Sequence, residues 1–325
     1  MNFAVVGTNF ITDWLLEAGK LCPEFLLKAV YSRTIDRAKE YAGIHGAKYA
    51  FDKLEDICNC DEIDAVYVAS PISFHAKQSM KFMHAGKHVL CEKPIASNSN
   101  ELRKMLQCSG DNNVVLLEAM RPQFSPVLRK IESLLESLGT IRYANINFCQ
   151  YSSRYDRFLL GEDVSTFNPK FSNGALMDLG CYCIHVMLRL FGPPKKIHSC
   201  KVSLANGFDA TGVILADYED KIVMLNYSKV SDTLGLSEIQ GEKGILQFKQ
   251  PSNLKEVYLT KRGGKTERIV MDAVQQDMMY ELQAFINYVK NPEGLSVHQG
   301  YSLEVMKIMD EARRQCGIIF DADYV

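Results

Sequence analysis

The first 120 residues alternate short apolar runs with amphipathic stretches, and that rhythm leaves few folds open to the chain. The apolar runs fall at residues 3–6, 25–31, 65–69, 88–91 and 114–117, and helical patterns fill the gaps at about residues 10–20, 35–42, 74–85 and 99–108. Gly86 and Gly110 supply stop signals. Strands separated by helices of about 10–15 residues form βαβ units, so the expected sheet is parallel and covered on both faces.

After Glu118 the rhythm changes. A helical stretch at residues 127–138 leads into a β-rich run at 141–151, a polar loop to 173 and an apolar helix at about 175–191. Residues 196–271 alternate apolar and polar positions between turns such as Asn206-Gly207 and Gly263-Gly264. That is the pattern of a large, mainly antiparallel sheet, and helical patterns at about 275–290 and 298–316 close the chain. The expected architecture is α/β followed by α+β. Residues 1–120 read as a Rossmann-type parallel-sheet domain, and residues 121–325 as a second, α+β domain.

Composition removes several classes of function. Lys+Arg 37 against Asp+Glu 39 leaves a formal charge of −2, with no basic excess to neutralise nucleic-acid phosphates. No run approaches the ~18 apolar residues of a membrane span, and the N-terminus lacks the charged start of a signal peptide. The ten cysteines are scattered, and the C-x-C pairs Cys58/Cys60 and Cys181/Cys183 lack partners at a zinc-like interval. Free thiols in a reducing cytoplasm are expected, and no metal.

The first apolar run ends in Gly7-Thr8-Asn9-Phe10-Ile11-Thr12, where a dinucleotide fold places G-x-G-x-x-G and seats a pyrophosphate on the following helix. Only the first glycine is present. Asn9 replaces the second, being the non-glycine residue most tolerant of φ > 0, and Thr12 replaces the third. About 20 residues on, Ser32-Arg33 stands where an acid would hold the ribose 2′-OH of NAD. A hydroxyl and a guanidinium suit a 2′-phosphate instead, so NADP is the expected cofactor, with NAD as the alternative. The fifth strand ends in Glu92-Lys93-Pro94, which aims Lys93 at the crevice outside the sheet, where a lysine can stabilise developing charge or relay a proton.

Gly7 with its turn, Ala69-Ser70-Pro71, His75, Ala85-Gly86-Lys87-His88-Val89, Glu92-Lys93-Pro94 and Gly174-Ala175-Leu176-Met177-Asp178-Leu179-Gly180 together resemble the Gfo/Idh/MocA oxidoreductases. The resemblance covers nearly the full chain. It implies a catalytic Lys93, a cofactor contact set that takes in Ser70, Pro71, His75 and Glu92, and an acidic substrate-helix residue at Asp178. Tyr182 stands where many members carry His, and in this it is similar to the dimeric dihydrodiol dehydrogenases and the glucose–fructose oxidoreductase branch. Pro122-Gln123 departs from the aromatic and Arg that relatives often carry there.

The residues read directly agree. Asp178, Tyr182 and His185 fall on one face of an otherwise apolar helix, and a buried polar stripe needs partners or a wet cleft. Gly180 inside that helix costs about 1 kcal/mol relative to Ala, which implies a close approach to its backbone. The expectation is an enzyme that moves a hydride between NAD(P) and a secondary alcohol or carbonyl of a sugar, polyol or related diol. Lys93 and Tyr182 would share the proton transfer, while Asp178 and His185 orient the substrate. A homodimer or tetramer is expected. The rival reading, a dinucleotide-binding sensor without chemistry, does not explain the presence of both Lys93 and Tyr182.

Overall fold

Six strands, β1 (Asn2–Val6), β2 (Leu26–Tyr31), β3 (Tyr49–Phe51), β4 (Ala65–Val68), β5 (His88–Glu92) and β6 (Leu116–Ala119), line up in the order β3-β2-β1-β4-β5-β6. Every pairing is parallel. The order reverses between β1 and β4, which places the ligand crevice outside their carboxyl ends. Five helices make the crossovers: α1 (Phe10–Gly19), α2 (Ile35–His45), α3 (Leu54–Cys58), α4 (Ile72–His84) and α5 (Ser99–Asp111). Strands β1 and β4 carry the longest apolar runs because both of their faces are covered, and Phe3, Ala4, Val5, Ala65, Val66 and Tyr67 are fully buried. The three-residue β3 and the short α3 have no counterpart in the sequence reading, since neither is long enough to show a period. The computed structural model describes residues 1–270 and 273–324.

The chain divides into two units, Met1–Met120 with Gln275–Leu303, and Arg121–Val274 with Glu304–Val325. The second opens with α6 (Arg121–Phe124), α7 (Pro126–Leu135), β7 (Ile141–Cys149) and α8 (Tyr155–Leu159). A π-helical turn, Leu176–Gly180, then runs into α9 (Cys181–Phe191). Seven strands follow: β8 (Lys196–Ser203), β9 (Asp209–Asp217), β10 (Ile222–Ser228), β11 (Ser237–Gly241), β12 (Gly244–Lys249), β13 (Lys255–Lys261) and β14 (Thr266–Ile269). With β7 they form one sheet in the order β14-β13-β12-β11-β7-β10-β9-β8, antiparallel except where β7 meets β10. The expected sheet ended at Met271, which lies outside the described residues. Burial alternates along β10, where Val223, Leu225 and Tyr227 face the core beneath α9.

Residues 275–303 correct the expected division. They cluster with the first unit rather than with residues 121–274. The reason is packing. Helix α10 (Met278–Lys290) lies against α1 and β6, and the ring of its Phe285 sits 5.7 Å from Phe3. In α11 (Leu295–Cys316), Gln299 donates to the Leu116 carbonyl and Ser302 to the Glu118 carboxylate.

Among the described residues one segment, Pro169–Phe191, is long and apolar enough by length and composition to cross a membrane, but 78% of its most apolar window is buried inside the protein, as a core helix would be. All ten cysteines are free thiols. Among the described residues no cluster of three or more His, Cys, Asp or Glu could hold a metal ion.

Candidate active site

Gly7 leaves β1 at φ +114°, and a Cβ there would lie 2.7 Å from the Ala69 carbonyl oxygen at the end of β4. Only glycine tolerates both constraints. Asn9 does not adopt the positive φ that its place in the fingerprint suggested. It is extended at φ −106° and caps α1, with Oδ1 accepting from Ile11 N at 3.0 Å and Thr12 N at 3.2 Å. Its Nδ2 donates to Ala69 O at 2.9 Å, tying the turn to the neighbouring strand. Thr12 is buried, and its hydroxyl donates to Gly7 O at 3.0 Å, so the third fingerprint position holds helix to strand by a hydrogen bond.

Thr8 accepts from Arg37 twice, at Oγ1 from Nε (3.3 Å) and at its carbonyl from Nη2 (3.4 Å). Arg37, absent from the sequence reading, lies in the first turn of α2, whereas Arg33 precedes that helix. Ser32 is half-buried and Arg33 is exposed, at the end of β2 beside the Gly7 turn. Arg33 forms no ion pair with Asp36 or any other carboxylate among the described residues. The residues present therefore fit a phosphorylated dinucleotide: a cradle free of any side chain at Gly7, the α1 N-terminus, the Arg33 guanidinium, and beside it Arg37, which also pairs with Glu40 at 2.8 Å. At that N-terminus the Ile11 and Thr12 N–H groups already donate to Asn9 Oδ1.

The loops after β4 and β5 are braced together. His75 is fully buried, with Nε2 2.8 Å from Ser70 O and Nδ1 3.0 Å from Pro94 O. Burial lowers its pKa, which favours the neutral ring. Ser70 Oγ donates to Gln78, and Pro71 precedes α4. Glu92 accepts from Tyr67 Oη at 2.5 Å and from Lys93 N at 3.2 Å. Lys93 precedes a cis peptide bond to Pro94 and is half-buried, while Ile95 N donates to Glu118 at 3.0 Å. Glu118 thus anchors the lysine loop from β6.

In the second unit Asp178 lies on the π-turn, and Tyr182 and His185 lie on α9. The unexpected partner is Lys229, just past β10, whose buried ammonium pairs with the Asp178 carboxylate. A single Lys after a strand carries no sequence signal. Tyr182 is buried, with its ring edge-on to Phe148 at 5.6 Å. His185 is buried as well. Gln123 Nε2 donates to its backbone carbonyl at 3.1 Å and stands 3.4 Å from Nδ1. The departure at Pro122-Gln123 marked the position, though not what it touches. Two groups approach Gly180: Leu176 Cδ1 and the ring of Tyr227 lie 3.0 and 3.1 Å from where a Cβ would stand. Asp209, at the start of β9, is buried and accepts from Leu176 N at 2.8 Å, close enough that a Cβ on Gly174 would collide with it.

The model of an oxidoreductase family with an NAD-binding Rossmann fold matches residues 1–120, and that of the GFO/IDH/MocA C-terminal domain matches residues 128–247. The chain belongs to the Gfo/Idh/MocA oxidoreductase family. A scyllo-inositol 2-dehydrogenase (NADP(+)) of Bacillus subtilis (strain 168) is 40% identical over 325 residues, covering 99% of each chain. A trans-1,2-dihydrobenzene-1,2-diol dehydrogenase of Xenopus laevis is 27% identical over 311 residues, 90% of each chain. The crystal structure of the 3-ketoreductase KijD10 from Actinomadura kijaniata, in complex with NADP and TDP-benzene, matches with a TM-score of 0.88 at 20% identity, over 98% of this chain and 99% of that one. That likeness is one of fold. As a Gfo/Idh/MocA member the chain is an oxidoreductase with an NAD-binding Rossmann domain, as its strand-end motifs implied.

Proposed function

We propose that this protein is an NADP-dependent dehydrogenase acting on a secondary alcohol of a polyol or related diol. The observation that carries the reading is the pair of exposed guanidinium groups, Arg33 and Arg37, with Ser32 beside the Gly7 turn, where an acid would mark an NAD enzyme. Full-length likeness to an NADP(+)-linked inositol dehydrogenase and a diol dehydrogenase supports both halves of it. When bound, the nicotinamide supplies or accepts the hydride. Gly7, Thr8, Phe10 and Ile11 line its phosphate turn, and Lys93 Nζ and the Tyr182 hydroxyl hold and move the proton. Asp178 accepts from substrate hydroxyls, and His185 keeps its stretch of α9 in place through Gln123. The test is reduction of NADP+ and NAD+ by a panel of inositols, aldoses and cyclic diols. Turnover of an inositol or diol with NADP+ preferred is expected, and failure of the whole panel with both cofactors would sink the reading.

Two coarser attributes go with it. One face of the eight-stranded sheet carries Val202, Leu215, Ile222 and Ile245, all exposed. A two-fold copy covers such a face most simply, so the proposed assembly is a homodimer or a tetramer built from dimers. Light scattering at micromolar concentration tests this, and a monomer refutes it. Ten free thiols fit a reducing compartment, and the proposed location is the cytoplasm.

A further inference from the structure

We propose that Tyr67 and Ser302 are positioning residues for Lys93: each is a buried hydroxyl that orients a carboxylate, and the two carboxylates hold the backbone on either side of the lysine. This rests on the reading of Lys93 as the residue that handles the proton, and adds the device that sets its place.

The two relays have the same form. Tyr67 Oη donates to Glu92 Oε1 at 2.5 Å, and Glu92 Oε2 accepts from Lys93 N at 3.2 Å. Ser302 Oγ donates to Glu118 Oε2 at 2.5 Å, and Glu118 Oε1 accepts from Ile95 N at 3.0 Å. Pro94 has no N–H, so Ile95 offers the first backbone donor beyond the lysine. Tyr67, Glu92, Glu118 and Ser302 are all buried. In the parallel register Tyr67 lies opposite Leu90, and Glu118 opposite Cys91. Side chains alternate along a strand, so Tyr67 and Glu92 share one face of the sheet while Glu118 leaves it on the other. The lysine loop is thus gripped from both faces. A serine inside a helix ordinarily bonds a carbonyl one turn back, but Ser302 in α11 gives its single proton to Glu118. A buried carboxylate that loses such a donor turns toward another or takes up a proton, and either change alters its hold on the backbone. Tyr67→Phe and Ser302→Ala each delete one oxygen and leave the lysine itself intact, so an effect on turnover must pass through the relay.

The experiment measures kcat with an inositol or cyclic diol of the panel above, NADPH affinity, and amide hydrogen exchange. It compares the full-length parent, Tyr67→Phe, Ser302→Ala, Ser302→Thr and Lys93→Met, and Lys93→Met combined with each hydroxyl deletion. Tyr67→Phe and Ser302→Ala should each lower kcat about tenfold or more, with NADPH affinity kept within about threefold. Ser302→Thr keeps a hydroxyl and should recover most of that loss. In the Lys93→Met background either deletion should change kcat by less than about twofold, because no ammonium is left to misplace. In the cofactor-free protein, the peptide covering residues 92–98 should exchange about tenfold faster in Ser302→Ala than in the parent. Loss of turnover in Lys93→Met while Tyr67→Phe and Ser302→Ala keep it overturns this inference alone, as do equal losses from each deletion with and without Lys93. NADPH affinity that falls as far as kcat makes the two hydroxyls supports of the cofactor site and also refutes it. A parent inactive on the whole panel, or parental turnover in Lys93→Met, overturns the functional reading and this inference with it.

Discussion

The Asp209 carboxylate accepts the backbone N–H of Leu176 at 2.8 Å, so a buried acid caps the turn that carries Asp178 and leads to Tyr182. Burial raises its pKa from 3.8 to about 6, against the pull of the Leu176 and Ala175 N–H groups and of Lys201. Tyr227 lies near it as well. Between these values the folded chain binds more protons than the unfolded one. The group's contribution to stability is thus fully present below about pH 4 and is lost as pH rises through about 6. The shift corresponds to about 3 kcal/mol. Urea unfolding of parent and Asp209→Asn across pH 4–8 should show their stability difference moving in the variant's favour as pH rises. A pH-independent difference would refute the buried, titrating carboxylate.

Gly7→Ala should weaken NADPH binding about tenfold or more, since a Cβ would stand 2.7 Å from Ala69 O on a backbone at φ +114°. Fluorescence titration with NADPH checks this. Unaltered affinity would mean that the turn does not approach the cofactor.

Arg33→Ala and Arg37→Ala should each weaken NADPH by about 10- to 100-fold while changing NADH little, because each removes a charge-assisted partner of the 2′-phosphate. Equal losses for both cofactors would mark the two residues as scaffolding. Arg37→Ala also frees Thr8, so its NADH affinity is the control to watch.

Lys93→Met should lower kcat by about 10²- to 10⁴-fold with NADPH affinity retained, as expected for a group that handles the proton. Tyr182→Phe should lower kcat as well. Full activity in Tyr182→Phe combined with loss in His185→Ala would move the proton to the histidine. The buried setting of His185 against Gln123 makes a packing defect the expected result of His185→Ala instead.

The parallel sheet was legible because β1 and β4 are buried on both faces and so read as uninterrupted apolar runs. The glycine turn, the Glu92-Lys93-Pro94 strand end and the polar stripe of Asp178, Tyr182 and His185 are local in sequence, and a local pattern can be read as a candidate without the fold. Arg37 was overlooked among the ordinary charges of an exposed helix. Lys229 and Asp209 lie about 51 and 33 residues from the groups they touch, and a pairing made only by tertiary contact leaves no spacing to read. Asn9 is extended and caps α1 rather than taking a positive φ, and the sequence does not separate the two because both favour the same residue type.

The return of residues 275–303 to the first unit has a consequence for how this protein is made. Phe3 awaits Phe285, Glu118 awaits Ser302, and the Leu116 carbonyl awaits Gln299. A nascent chain that has left the ribosome through residue 120 holds all six strands of the cofactor sheet but not the helix that shields α1 and β6. The dinucleotide fold is completed only after the entire intervening eight-stranded sheet has been synthesised. A fragment cut after Met120 is therefore a sheet with an uncovered apolar flank rather than a portable cofactor module, and the two units are woven by the chain into one obligatory product of translation.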